Sequence, residues 1–175
     1  MSSFNKNASL YFLESQFSKI TSDASFTTVT TFLNAPLSAN STVNGVYIDA
    51  SGNYDNLFAF LESFVVTNAT NGFNILLALD DGTVIYDSTK GLKAGGSSVT
   101  SENNTLLKYG TKTVNSDNHN SRPEILNAVL SSSGVGTARR FSSSSKAWLQ
   151  YYAVRLGHSA QENMGTLRVS IKELI

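Results

Sequence analysis

A chain of 175 residues and 18.8 kDa is sized for one domain, and its 41% hydrophobic residues are enough to build a single core. Thirteen basic side chains balance thirteen acidic ones, which argues against a nucleic-acid binder working through bulk charge, and the absence of Cys excludes a disulfide scaffold, a thiolate zinc site and a cysteine nucleophile. Only 15% of residues are charged, yet 10 Phe and 7 Tyr set the chain apart from disordered segments, and no apolar run reaches the roughly 18 residues of a membrane span.

Leu10, Leu13, Phe17 and Ile20 recur at steps of three and four and predict an N-terminal helix. Phe26, Val29, Phe32 and Leu33 predict a second helix ending near Pro36, weakened by the β-branched run at 27–31. A short strand is expected at 45–50. Leu57, Phe60, Leu61 and Phe64 then mark a third helix, with Asp55 near its start. After Gly72 the period changes. Residues 73–79 and 83–86 read as a β-hairpin turning at Asp80-Asp81-Gly82. Residues 90–118, rich in Gly, Ser, Thr and Asn, are expected to form a long loop, partly ordered around an apolar island at 106–109.

A helix is predicted from about 122 to 131. Ser121 stands three residues before Glu124, as a capping box needs, with Pro123 in the first turn, so Ser121 is the expected N-cap. Three strands close the chain, at about 136–143, 147–157 and 164–172. In the last, Leu167, Val169 and Ile171 alternate with Thr166, Arg168 and Ser170, which puts the two sets on opposite faces. Helices first and closely spaced strands afterwards make the fold class α+β with an antiparallel sheet. The expected division is one domain over 1–175, mainly helical in 1–68 and sheet-forming in 73–175 with one inserted helix.

Charge is uneven along the chain. Residues 121–175 carry 7 basic and 3 acidic side chains, an excess of four that suits an anionic ligand and equally a solvated surface. Catalytic patterns are incomplete. Ser143 and Lys146 match S-x-x-K and Ser116-Asp117-Asn118 matches S-D-N, but in reversed order and without the K-T-G that serine enzymes of this type require. Asp49, Ser51, Asn53 and Asp55 alternate like a calcium loop, but Tyr54 and Phe60 stand where Gly and Glu are needed. His119 and His158 are the only histidines and lack metal-ligand spacing; His119 is read as orienting a loop and His158 as exposed at a strand end. No metal and no cofactor is expected.

Five segments in sequence order carry a resemblance. Residues 74–88 (NILLALDDGTVIYDS) look like a hairpin of the form hydrophobic strand, D-G-x-V, D-S. Asn118-His119-Asn120-Ser121-Arg122-Pro123-Glu124-Ile125 resembles N-H-x-x-R-P-E-I/V, and Gly134, Gly136, Arg140 and Ser142 are similar to G-x-G-x-x-x-R-x-S. Tyr151-Tyr152-Ala153-Val154 and Gly165-Thr166-Leu167-Arg168-Val169 are similar to Y-x-A-V and G-x-x-R-V. Together they cover about 100 residues and resemble Cache-type, PAS-like sensor domains, the extracytoplasmic input modules of bacterial histidine kinases and chemoreceptors. The resemblance implies a long N-terminal helix, or helices, packed on an antiparallel sheet of about five to six strands.

It also implies a non-catalytic small-ligand sensor of a signal-transduction protein, with its pocket on the sheet face under the 90–118 loop. The candidate lining residues are Tyr86, Asp87, Arg122, Arg140, Trp148, Tyr151 and Tyr152: aromatic walls, and arginines to grip a carboxylate or phosphate. The expected partner is an anionic or zwitterionic small molecule, with no nucleic acid and no membrane span, and the N-terminal helix is the surface for a homodimer. Each aromatic has a place in the core as its alternative, and each arginine a salt bridge to Asp87 or Glu124. Sensor modules usually sit between two membrane helices. An excised ectodomain would be periplasmic or extracellular. The second functional reading is a structural or assembly module, a surface or virion component, that reuses the sensor fold without a ligand. An enzyme is the third and least favoured.

Overall fold

The structure is a computed structural model that describes residues 3–30, 42–43, 46–47, 53–68, 72–80, 82, 84–90, 93–94, 97–100, 106–109, 112–113, 119–143, 145–156 and 165–173. Helix α1 (Ser3–Thr21) buries Leu13, Gln16 and Ile20 on one stripe, as the spacing requires, and leaves Tyr11 in solvent. Helix α2 (Ala24–Thr30) begins at Asp23, whose side chain accepts the Ser25 N–H at 2.9 Å and so satisfies a first-turn donor. The remainder of that predicted helix, Phe32 to Pro36, lies outside the described residues, as do His158, the S-D-N segment, and Asp49 and Ser51 of the calcium-like pattern. Two short strands, β1 (Thr42–Val43) and β2 (Val46–Tyr47), precede α3 (Asn53–Thr67), which buries Leu57, Phe58 and Leu61.

The predicted hairpin forms β3 (Asn74–Ala78) and β4 (Val84–Asp87), antiparallel, with Leu77 opposite Tyr86 and Leu76 opposite Asp87. Gly82 closes the turn at φ +87°, its N–H reaching the Leu79 carbonyl at 3.0 Å. Its own carbonyl accepts the His119 N–H at 2.9 Å, which ties the segment before the fourth helix to the hairpin tip.

The long loop expected over 90–118, partly ordered around 106–109, has more strand pairing than expected. The described part contains β5 (Lys93–Ala94), β6 (Ser97–Thr100), β7 (Leu106–Tyr109) and β8 (Lys112–Thr113). The apolar island pairs with the serine-rich stretch before it, Ser97 opposite Tyr109, so backbone pairing satisfies polar groups that side-chain pattern leaves unassigned. Strands β1, β2, β7 and β6 form one small sheet, and β5 pairs with β8.

Helix α4 (Pro123–Leu130) and strands β9 (Val135–Ser142), β10 (Ala147–Arg155) and β11 (Thr166–Lys172) fall where the sequence puts them. The main sheet has the order β4-β3-β11-β10-β9, antiparallel throughout. Helices on a five-stranded antiparallel sheet make this the α+β architecture that the sequence implies.

Each sheet face has its own core. On one, Ile75, Leu77, Tyr86, Leu167, Val169 and Ile171 pack with Leu13 and Ile20 of α1 and Leu57, Phe58 and Leu61 of α3. On the other, Leu76, Ala78, Val84 and Ala153 pack with Ile125 and Ala128 of α4. Strand β9 meets α4 backbone to backbone: a Cβ on Gly136 would lie 2.0 Å from the Glu124 carbonyl oxygen and 2.7 Å from the Ala128 nitrogen.

Tyr86 shows how the first core handles a polar atom. Its ring stacks on Phe58 at 5.7 Å, and its hydroxyl donates to Glu62 Oε1 at 2.6 Å. Burial, the Glu62 hydrogen bond and the charges of Glu62 and Asp87 all raise the phenol's pKa, so the donor stays protonated. Tyr86→Phe should cost about 1.5 kcal/mol in urea denaturation, the lower end for a hydrogen bond to a charged group. An unchanged midpoint would mean that water replaces the hydroxyl.

The expected N-cap is also corrected. The N-cap of α4 is Arg122, extended at φ −66°, ψ 132°, with no side-chain capping bond, and Ser121 stands one residue further out in an exposed turn. A capping box needs the carboxylate three residues on to reach back to the cap; Glu124 is at the second helical position and is engaged elsewhere. Ser121→Ala should therefore change stability by less than about 0.5 kcal/mol, against about 1 kcal/mol for a true cap.

Candidate functional site

Helix α4 covers only part of its sheet face. Beyond its N-terminus the sheet is open, and the alternation of each strand decides what is displayed there. Register places Asp87 beside Leu76, Arg168 beside Leu76 and Ala153, Tyr151 between Ser170 and Ala138, and Arg140 beside Leu149. These residues floor a cleft of about 490 Å³. The segment at 119–122 forms one wall through His119 and Arg122. Lys90 follows β4 at another, and the β9–β10 turn, with Ser142, Ser143 and Ser145, forms the wall opposite α4.

The centre of the site is a buried carboxylate between two arginines. Glu124 has no solvent exposure. Arg140 grips it with both ends of its fork, Nη1 to Oε2 at 2.5 Å and Nη2 to Oε1 at 2.8 Å, and Arg168 Nη1 reaches Oε1 at 3.0 Å. The Tyr151 ring lies against both guanidiniums, with Cζ of Arg140 at 3.9 Å and of Arg168 at 4.8 Å from its centre. His119 Nδ1 stands 3.4 Å from Arg168 Nη1.

Burial alone would raise the Glu124 pKa, but the Arg140 hydrogen bonds and the Arg168 charge outweigh it, and the carboxyl is held below its usual range. The Glu124 hydrogen bond raises Arg140, whereas burial pulls Arg168 down against the attraction of Glu124. Guanidinium stays protonated throughout, so two cations share one anion and the cluster carries a net charge of about +1.

Asp87 is buried at the other end of the floor. Its Oδ1 accepts the Thr89 N–H at 3.0 Å and the Thr89 hydroxyl at 2.7 Å, closing the turn after β4. Among the described residues no three His, Asp or Glu side chains stand together as a metal site, and no helix is long and apolar enough to cross a membrane. Ser143 and Lys146 are exposed in the β9–β10 turn.

Four of the seven sequence candidates meet at the cleft: Asp87, Arg122, Arg140 and Tyr151. Three do not. Tyr86 and Tyr152 project from the opposite face, Tyr86 onto Phe58 and Tyr152 edge-on to Phe17 at 5.7 Å. Trp148 shares the parity of Tyr152; it is 44% exposed beneath Arg139, whose Cζ is 4.1 Å from its ring. The reason is elementary. Neighbours in a strand face opposite ways, so Tyr86 and Asp87, or Tyr151 and Tyr152, cannot line one cleft together.

Sequence reasoning left out Arg168 and gave Glu124 a capping role, with a salt bridge to Arg122 or Arg140 as an alternative. The alternation of β11 already put Arg168 on the face opposite Leu167, Val169 and Ile171. Of the two alternatives for Arg140, a bridge to Asp87 or to Glu124, the structure has the second.

No family model matches the chain, and no curated protein matches it in sequence. Solved structures do. The chain is similar to the ligand-binding domain of the Campylobacter jejuni chemoreceptor Tlp3 in complex with 4-methylisoleucine, at 13% identity and a TM-score of 0.42, covering 98% of this chain and 61% of that one. It is similar to the sensor domain of the V. cholerae histidine kinase DctB at 16% identity and a TM-score of 0.43, covering 91% and 54%. Tlp3 is also matched with isoleucine bound, at 14% identity and a TM-score of 0.42, covering 98% and 64%. The likeness is to sensor domains. The chain spans between half and two thirds of the length of those chains.

Proposed function

We propose that this chain is a sensor domain: a non-catalytic, extracytoplasmic module of a signal-transduction protein that takes an anionic or zwitterionic small molecule in the cleft beside α4. The observation that carries the reading is the arginine pair on a single buried carboxylate, facing an open cleft of about 490 Å³. That volume is within the range of small-molecule sites. Among the described residues the cluster keeps one uncompensated positive charge, partly shielded from water, which attracts an anion and aligns a carboxylate or phosphate against a planar guanidinium fork. Arg122, exposed at the mouth, adds a further cation. The motif resemblance over residues 74–169 points the same way.

The test is a thermal-shift screen of amino acids, carboxylates and phosphates at millimolar concentration. A ligand at 100 times its Kd stabilises the native state by about 2.7 kcal/mol and raises Tm accordingly. Arg122→Gln should reduce the shift without lowering the unliganded Tm. Silence across the whole screen would overturn the sensor reading in favour of a structural module.

A further inference from the structure

Within that reading, which this inference rests on, the cleft's own chemistry narrows the ligand. We propose that it is a small polyhydroxylated anion, a sugar acid or sugar phosphate, rather than an amino acid with an aliphatic side chain.

Charge is the first ground. Among the described residues, Lys90, Arg122, Arg140 and Arg168 stand against Asp87 and the buried Glu124 beneath the cleft, an excess of two positive charges that favours a net anion over a zwitterion. The second is the scarcity of apolar wall among the described residues. Leu76 is 1% and Leu149 7% exposed, and the Tyr151 ring is already covered by two guanidiniums, so an aliphatic side chain of a ligand would find little apolar surface to bury against. The third is the density of hydroxyl groups. The 142–145 turn contributes three serines to the wall, joined by a bond from Ser142 Oγ to Ser145 Oγ at 3.3 Å, and Ser170 stands on the floor beside Arg168's strand position. Hydroxyls act as donor and acceptor at once, which matches ligand hydroxyls and wastes nothing on an alkyl chain. Asp87, acceptor-only when ionised, adds a strong partner for ligand O–H groups.

Titration calorimetry with the intact chain tests this with six probes: glucuronate, glucose 6-phosphate, glucose, acetate, inorganic phosphate and L-isoleucine. One of the two sugar anions should bind at least about tenfold more tightly than glucose, than the two simple anions and than isoleucine, since each lacks one half of the recognition. Binding of glucuronate alone assigns a carboxylate, and of glucose 6-phosphate alone a phosphate. Ser170→Ala and Ser143→Ala should each weaken the sugar anion about three- to tenfold and leave acetate and phosphate unchanged. Tighter binding of isoleucine would overturn this inference and leave the sensor reading standing, as would a simple anion binding as tightly as the sugar anion. No binding by any probe overturns it too; the wider screen above then decides whether the sensor reading falls with it.

Discussion

Replacing Glu124 with Gln should cost the fold about 3 kcal/mol, the lower end of the range for breaking a buried ion pair, because it leaves two guanidiniums against the Tyr151 ring with no anion between them. The lower end applies because Arg140 keeps 29% of its side chain in water. The pH dependence has a definite sign. The carboxyl is held below its unfolded value by its arginines, so its contribution is complete above an unfolded pKa near 4.3 and is lost as pH falls through the lower folded value. Urea midpoints at pH 7 and pH 3 measure both effects. The gap between the native chain and Glu124→Gln should be large at pH 7 and should shrink at pH 3. Equal midpoints at pH 7 would show that the arginines find water or each other tolerable, and would remove the basis for an anion-seeking cleft.

Gly136→Ala should be at least as damaging. The added Cβ would meet the carbonyl oxygen of Glu124 at 2.0 Å and the nitrogen of Ala128 at 2.7 Å, both backbone, so no side chain can swing aside. Overpacking ordinarily costs about 1–3 kcal/mol, and a clash this hard between a helix and a strand belongs at the top of that range or beyond. Relief requires α4 to lift, which carries Glu124 away from Arg140 and Arg168, so ligand-induced thermal shifts should vanish with the stability. Thr137→Ala, on the exposed side of the same strand, is the control and should change stability by less than about 0.5 kcal/mol. A melting curve for Gly136→Ala that overlays the control would mean that the helix and strand have slack between them.

What could be read from the sequence is what local pattern encodes. The D-G turn marks the β3–β4 hairpin, the alternation of residues 166–171 sets the faces of β11, and the helix expected from about 122 begins one residue later, at Pro123. The short strands between 93 and 113 were missed because two to four residues carry no usable period. Ser121 was misread because S-x-x-E is a local signal, while the partners that hold Glu124 lie 16 and 44 residues further along the chain. No spacing rule links them; register across β9, β10 and β11 does. Trp148 and Tyr152 are a different case. Their parity with Tyr151 was visible in the sequence, and aromatic character outweighed it.

Arg155 gives the other end of α4 a different kind of fastening. Its buried guanidinium donates through Nη1 to the carbonyl oxygens of Val129 and Ser131, each at 2.9 Å, where the helix dipole is negative. The helix is thus clasped to the sheet by arginine at both ends, and the front clasp contains a carboxylate that acid can neutralise. The rear clasp includes two backbone carbonyl oxygens, which are neutral. Acid that protonates Glu124 therefore loosens α4 from its cleft end, where Arg140 and Arg168 hold it.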